Sequence, residues 1–192
     1  MEIRILGEQE VAQAADLAQV VYRNQIEPYF NQPQMNQHFY EYAKKDTLTG
    51  RAAAGQVYVW GAFEGANMVG MSAMQPEGHV TLLYVLPQYQ KRGMGKAMLL
   101  EMKRYAFERL HLQQLTLSAM PAWTANYFAR NGYVKMITGN PMAPYISMVS
   151  PIKYHMDYTA KKWSTPVVIG VSAAILGFVT VVGILYGIMG IL

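Results

Sequence analysis

Cysteine is absent from the chain, which removes disulfides, thiolate metal sites and cysteine nucleophiles together. The four histidines, His38, His79, His111 and His155, share no metal-ligand spacing, so no metal site is expected. Charge is sparse as well, at 15% of residues. The net +4 is spread thinly, apart from Lys91, Arg92 and Lys96 and the pair Lys161-Lys162. No surface for nucleic acid is indicated. Met1–Gly7 lacks the charged start and long apolar core of a secretory leader. Beyond Lys162 there is no charge at all.

What is present fits one domain of ordinary size in 192 residues. The hydrophobic share of 52% is inflated by the uncharged tail; the remainder has the composition of a soluble globular protein.

The stretch most charged with meaning is Gln90-Lys91-Arg92-Gly93-Met94-Gly95-Lys96, between the apolar run Val80 to Leu86, closed by Pro87, and a helical pattern. Gly93 and Gly95 lack a Cβ, so the main chain there can take positive φ and approach a ligand closely. The following helix aims its positive end at the same point, where free amides and macrodipole favour an anion. Lys91, Arg92 and Lys96 add full charges. A phosphate-binding loop is one reading and an ordinary strand-to-helix turn the other.

Elsewhere the pattern alternates between strand and helix. Met1 to Leu6 alternates as a strand, and from Glu8 the apolar positions Val11, Ala15, Leu17, Ala18, Val21 and Tyr22 recur at helical spacing. Ile26 to Ala43 reads as a second helical region broken by Pro28 and Pro33. Gln56–Trp60, Met68–Met74 and His79–Leu86 form a meander through the turns Gly65-Ala66-Asn67 and Pro76-Glu77-Gly78. The helix after the loop carries Leu99, Met102, Ala106 and Leu110 on one side and Glu101, Arg104 and Glu108 on the other, as a helix lying on a sheet does. Leu115–Ser118 is a strand, Pro121 to Asn131 a short helix stopped by Gly132, and Tyr145–Val149 a closing strand.

The segment Leu82 to Leu100 resembles the acetyl-CoA-binding segment of the GCN5-related N-acetyltransferase (GNAT) family: an apolar strand ending in Val-x-Pro, then Gln/Arg-x-x-Gly-x-Gly/Ala, then a helix opening with small and leucine-like residues. Ala125 to Tyr133 is similar to that family's second signature, a paired-aromatic helix ending in Gly and an aromatic. The resemblance covers roughly residues 1–155. It implies an α/β (α+β) fold with a mixed, mostly antiparallel central sheet flanked by helices. It implies acetyl-CoA as co-substrate and a primary amine as acceptor. The backbone of Leu83, Tyr84 and Val85 would bond the pantetheine arm, the diphosphate would fall on Lys91, Arg92, Gly93, Met94, Gly95 and Lys96, and an amide near Val85 would face the thioester oxygen.

Three positions depart from the family pattern. The leaving-group tyrosine is Phe128, and the hydroxyl sits one residue earlier on Tyr127, turned by about 100° along a helix. The usual asparagine is Pro121, and the usual glutamate base is His79, whose ordinary pKa near 6.5 suits proton abstraction. His79 and Tyr127 are therefore the candidate catalytic residues, with a non-catalytic acyl-CoA-binding sensor or scaffold as the other reading. In the family, the region from Ile26 to Ala43 supplies a wall of the acceptor pocket. Tyr29, Phe30, His38, Phe39 and Tyr42 therefore either touch acceptor or pack onto the sheet.

From Pro166 to Leu192 the chain is uncharged, which as a helix amounts to about 40 Å, enough to cross a hydrocarbon core of about 30 Å. A buried core helix is the other reading of such a run. A transmembrane helix over 166–192 after a linker over 156–165 makes the protein tail-anchored. Lys161 and Lys162 keep the folded domain on the cytoplasmic side, with Trp163 and Tyr158 at headgroup level. Small residues at Gly170, Ala173, Gly177, Thr180, Gly183 and Gly187 would let two spans approach; beside the lipid bilayer itself, a homodimer through the membrane is one reading of that stripe, and the ordinary abundance of glycine in spans is the other.

Overall fold

Strand and helix alternate along the chain much as the hydrophobic pattern requires. The computed structural model describes residues 1–137 and 143–152, so the expected domain boundary at 155, the linker and the span all lie outside the described residues. Among those described, no helix is long and apolar enough to cross a membrane.

Strand β1 (Glu2–Ile5) leads into helix α1 (Glu8–Gln25). Their junction is fixed by Arg4, whose guanidinium donates to both carboxylate oxygens of Glu10 at 2.8 and 2.6 Å. Glu10 also accepts the Gly7 N–H at 3.1 Å, so a charge in the first helical turn satisfies an orphan donor. With Arg4 the larger cause and the Gly7 amide the smaller, the Glu10 carboxyl is held down at about 2.

The expected helical region from Ile26 to Ala43 resolves into a 3₁₀ turn, Glu27–Tyr29, and helix α2 (Pro33–Tyr42). Pro33 opens the second helix because its missing N–H costs nothing in the first turn. Helix α3 (Lys45–Ala53) follows and has no counterpart in the sequence reading, since only Leu48 is buried in it. Strands β2 (Tyr58–Glu64), β3 (Asn67–Met74) and β4 (His79–Val85) form the meander. Helix α4 (Met94–Leu110) then crosses to β5 (Gln114–Ala119). Helix α5 (Ala125–Arg130), the two-residue β6 (Val134–Lys135) and β7 (Ile146–Pro151) complete the order.

The strands make one seven-stranded sheet ordered β1-β2-β3-β4-β5-β7-β6. All neighbours are antiparallel except β4 and β5, in agreement with a mixed, mostly antiparallel sheet. Alternation along the strands splits the core in two. Val59, Phe63, Met71 and Ala73 pack on α1 through Val11, Ala15, Ala18 and Tyr22. Trp60, Met74, Leu115, Leu117 and Met148 pack on the other face against Leu99, Met102 and Ala106 of α4, the stripe that its periodicity predicts.

Helix α4 also buries a cation. Lys103 is 8% exposed and donates to Ser150 Oγ at 2.7 Å, while Ser150 Oγ donates to the Gly132 carbonyl at 2.9 Å. Its ammonium lies 4.9 Å from the Tyr133 ring centroid. Burial holds the Lys103 pKa below the ordinary lysine value. Between that depressed value and the ordinary one, the unfolded chain carries more protons than the folded one. Stability from this group therefore rises with pH across that window. Lys103→Met is expected to flatten the rise in urea unfolding free energy between neutral and alkaline pH. At neutral pH it should cost about 1 kcal/mol or less, since Ser150 keeps its bond to Gly132.

Candidate active site

Strands β4 and β5 lie side by side only at His79–Thr116 and Val80–Leu117; beyond that they part. The cause is visible in the register of β4 on β3, where Met74 pairs with Val80 and Ala73 with Leu82, leaving Thr81 as an extra residue. Such a bulge bends the strand and flips its faces. Val80 accordingly packs with the α4 face and Leu82, two residues on, with the α1 face. Thr81 is pinned in place: its hydroxyl donates to the Ala73 carbonyl at 3.3 Å and accepts from the Tyr42 hydroxyl at 3.0 Å.

Parting leaves a cleft of about 700 Å³ between the two strands, floored by Leu82, Leu83 and Val85 and walled by Leu117 and Ser118. Antiparallel bonding alternates along a strand. Because Leu86 N–H donates to Val69, residues 84 and 82 also face β3, and the main-chain groups of Leu83 and Val85 turn toward the cleft. The Val85 carbonyl accepts Gln90 Nε2 at 2.9 Å. Tyr84, expected to contribute backbone, instead spends its main chain on β3. Its ring sits edge-on to Tyr22 and Phe39, and burial pushes its hydroxyl pKa well up.

The loop after β4 closes one end. Gly93 is the N-cap of α4 with φ 83°, a left-handed conformation that favours glycine. Nothing lies within 4 Å of a Cβ built on it, so its need is conformational. Gly95 is required for a different reason: a Cβ there would collide with the Tyr127 hydroxyl. Lys91, Gly93, Met94, Gly95 and Lys96 line the cleft. Arg92 does not, and its guanidinium lies 5.5 Å from the Tyr89 ring centroid.

Across the cleft, Trp123, Asn126, Tyr127, Phe128 and Arg130 line the wall from the β5–α5 segment, and Val21, Gln25 and Ile26 line it from α1. Tyr127 is thus brought to the cleft, its hydroxyl over the glycine loop and its pKa raised by burial. Phe128 stands beside it. His79 is not brought there: it sits at the opposite end of β4, where Nδ1 is 2.9 Å from Thr116 Oγ1 and burial lowers its pKa.

The aromatic residues expected at the acceptor wall mostly pack. Phe39 stacks on Tyr22 at 3.7 Å, Tyr42 holds Thr81, and Phe30 is buried edge-on to Trp123 at 6.1 Å. Tyr29 and His38 are exposed away from the cleft lining. Sequence reasoning missed Trp123, Asn126, Arg130 and the α1 trio. Only the helical phase of Val21 and Gln25 signalled any of them. Among the described residues no group of acidic and histidine side chains is placed to hold a metal ion.

A split parallel pair opening over a glycine turn and a helix N-terminus defines an α/β fold whose cleft suits an anionic, elongated ligand. The chain belongs to the GNAT acetyltransferase family, the acetyltransferase (GNAT) domain model matching residues 16–149. Similar folds include a GCN5-related N-acetyltransferase from Rhodopseudomonas palustris, at 20% identity and TM-score 0.65 over 78% of this chain and 94% of that one. The PaiA N-acetyltransferase of Thermoplasma acidophilum, solved with coenzyme A, aligns at 17% identity and TM-score 0.64 over 79% and 99%. Tetrahymena GCN5 aligns at 15% and 0.59 over 82% and 100%. No protein of curated function matches the chain.

The donor set fits the coenzyme A that the family uses. Cleft-facing main-chain groups of Leu83 and the Val85 N–H, a helix N-terminus and two lysines meet a space that a side chain at Gly95 would fill. Gly95→Ala is expected to cost about 1–3 kcal/mol by overpacking against Tyr127, with most of the lost melting temperature restored when Tyr127→Phe is added. Gly93→Asp strains the backbone by about 1–2 kcal/mol and adds a negative charge to the anion site. Coenzyme A binding measured by calorimetry should weaken about tenfold or more.

Proposed function

We propose that the protein is an acetyl-CoA-dependent N-acetyltransferase held at the cytoplasmic face of a membrane by residues 166–192, transferring acetyl to a primary amine of a membrane-bound or membrane-proximal acceptor. The observation that carries the catalytic part is the cleft between β4 and β5, lined at one end by Lys91, Lys96 and the glycine turn, in a chain of this family. The anchor rests on the uncharged stretch from Pro166 to Leu192.

The reaction needs a held thioester, a polarised carbonyl and a neutral amine close to it. The amine nitrogen attacks the acetyl carbon, the C–S bond breaks, and the sulfur takes the electron pair as the amine loses its proton. In this proposal, cleft-facing main-chain groups of Leu83 and Val85 hold the pantetheine arm and an amide there meets the carbonyl oxygen. The loop residues hold the diphosphate. Tyr127 acts on the cofactor's phosphate end of the cleft rather than on the sulfur, and Phe128 cannot donate the proton that a tyrosine there would. Thiolate is a tolerable leaving group without one.

A second reading, a non-catalytic acyl-CoA-binding sensor or scaffold, is favoured by Phe128 and by the distance of His79 from the cleft. The two separate on incubating detergent-solubilised protein with acetyl-CoA and a range of amines: release of free CoA thiol supports the enzyme, and tight coenzyme A binding with no release supports the scaffold. Ending the chain after Lys162 should leave the chemistry intact and move the protein from the membrane fraction to the supernatant.

A further inference from the structure

No Asp, Glu or His lines the cleft among the described residues; its titratable groups are Tyr84, Tyr89, Tyr127, Lys91, Lys96 and Arg130. This follows from the sequence of its walls. Segments 78–100 and 109–131 contain no carboxylate, and on α1 the lining residues are Val21, Gln25 and Ile26. Glu27, the nearest acid in sequence, accepts the Tyr40 hydroxyl at 2.5 Å and does not line the cleft.

Two consequences follow for an incoming amine. The described lining offers no carboxylate as counter-charge to a polyamine or an ammonium, and desolvating such a cation unpaired is costly. Among the described lining residues no carboxylate or imidazole is present to deprotonate an alkylammonium either. At neutral pH, a lysine-like amine with a pKa near 10.4 presents only about one molecule in two thousand as free base. An aromatic amine, whose lone pair is delocalised into its ring, arrives neutral.

The wall opposite the loop suits that ring. Trp123 lines the cleft while 52% exposed, backed edge-on by buried Phe30 at 6.1 Å, with Ile26, Val21 and Met120 also in the lining. Edge and face contacts between rings favour an aromatic guest.

We infer that the acceptor is a weakly basic amine carried on an aromatic body, of arylamine type, and not a polyamine or a lysine side chain. This rests on the acetyltransferase reading above. The neutral nitrogen attacks the acetyl carbon and the C–S bond breaks. The proton lost by nitrogen ends on the CoA sulfur, so the products are the anilide and free thiol.

The test compares a para-substituted aniline, the matching benzylamine, spermidine and free lysine as acceptors for the full chain in detergent, following CoA release across pH. The expected result is the highest kcat/KM for the aniline at neutral pH, level from about pH 6.5 to about 9, with the benzylamine rising about tenfold per pH unit as its free base grows. Trp123→Ala should raise the aniline KM roughly threefold to tenfold while leaving the acetyl-CoA KM unchanged. Better use of spermidine or lysine at neutral pH overturns the inference but leaves an acetyltransferase, as does a benzylamine profile that levels near pH 7. Coenzyme A binding without turnover of any amine overturns the acetyltransferase reading and the inference with it.

Discussion

Everything that makes this domain more than a packed sheet depends on two strands failing to stay together. Parallel pairing between β4 and β5 lasts for two rungs, and the extra residue at Thr81 turns the remainder of β4 away. A sheet of uninterrupted ladders would leave no main-chain donor or acceptor free in its interior. Here Leu83 and the Val85 N–H turn to the cleft while Gln90 takes the Val85 carbonyl, and the hydroxyls of Thr81 and Tyr42 hold the irregularity in place. The cost of the unpaired segment is borne by cores on both faces, which bury Trp60, Tyr22, Met71 and Met102 almost completely.

The glycine loop and the α1 and α4 stripes were legible because each writes its physics locally. Gly93 at a left-handed N-cap, followed by periodic Leu99, Met102 and Ala106, needs no tertiary knowledge. β6 was not legible, being a two-residue strand whose pairing is defined by β7, and α3 carries a single buried residue. The bulge was equally hidden, since His79–Leu86 reads as an even strand and only pairing with β3 exposes the extra residue. Tyr127, a candidate although it stands one residue before the family position, lines the cleft from the short helix Ala125–Arg130, with its hydroxyl against Gly95. His79, which the resemblance set at the base position, lies where the strands are still joined.

Electrostatically the cleft is one-sided. Its cations are Lys91 and Lys96 at the loop and Arg130 on α5, Trp123 adds an aromatic surface, and no side-chain anion lines it among the described residues. An anionic cofactor and an uncharged acceptor body can share such a space without competing for the same groups. Gly95 and Tyr127 give the shared space a mechanical link, since what fills the loop presses on the helix that also presents Phe128.

The two-rung seam has a wider meaning for the molecule. On one side lie β1 to β4 and on the other β5, β7 and β6, each an unbroken antiparallel set, and the backbone passes between them once, along α4. Beyond the two rungs, Met74, Val80, Leu99, Met102, Leu115, Leu117 and Met148 pack together across that line under the helix. Met74, Met102 and Met148 give that line thioether packing, which fills irregular gaps between two rigid ladders more readily than branched side chains do.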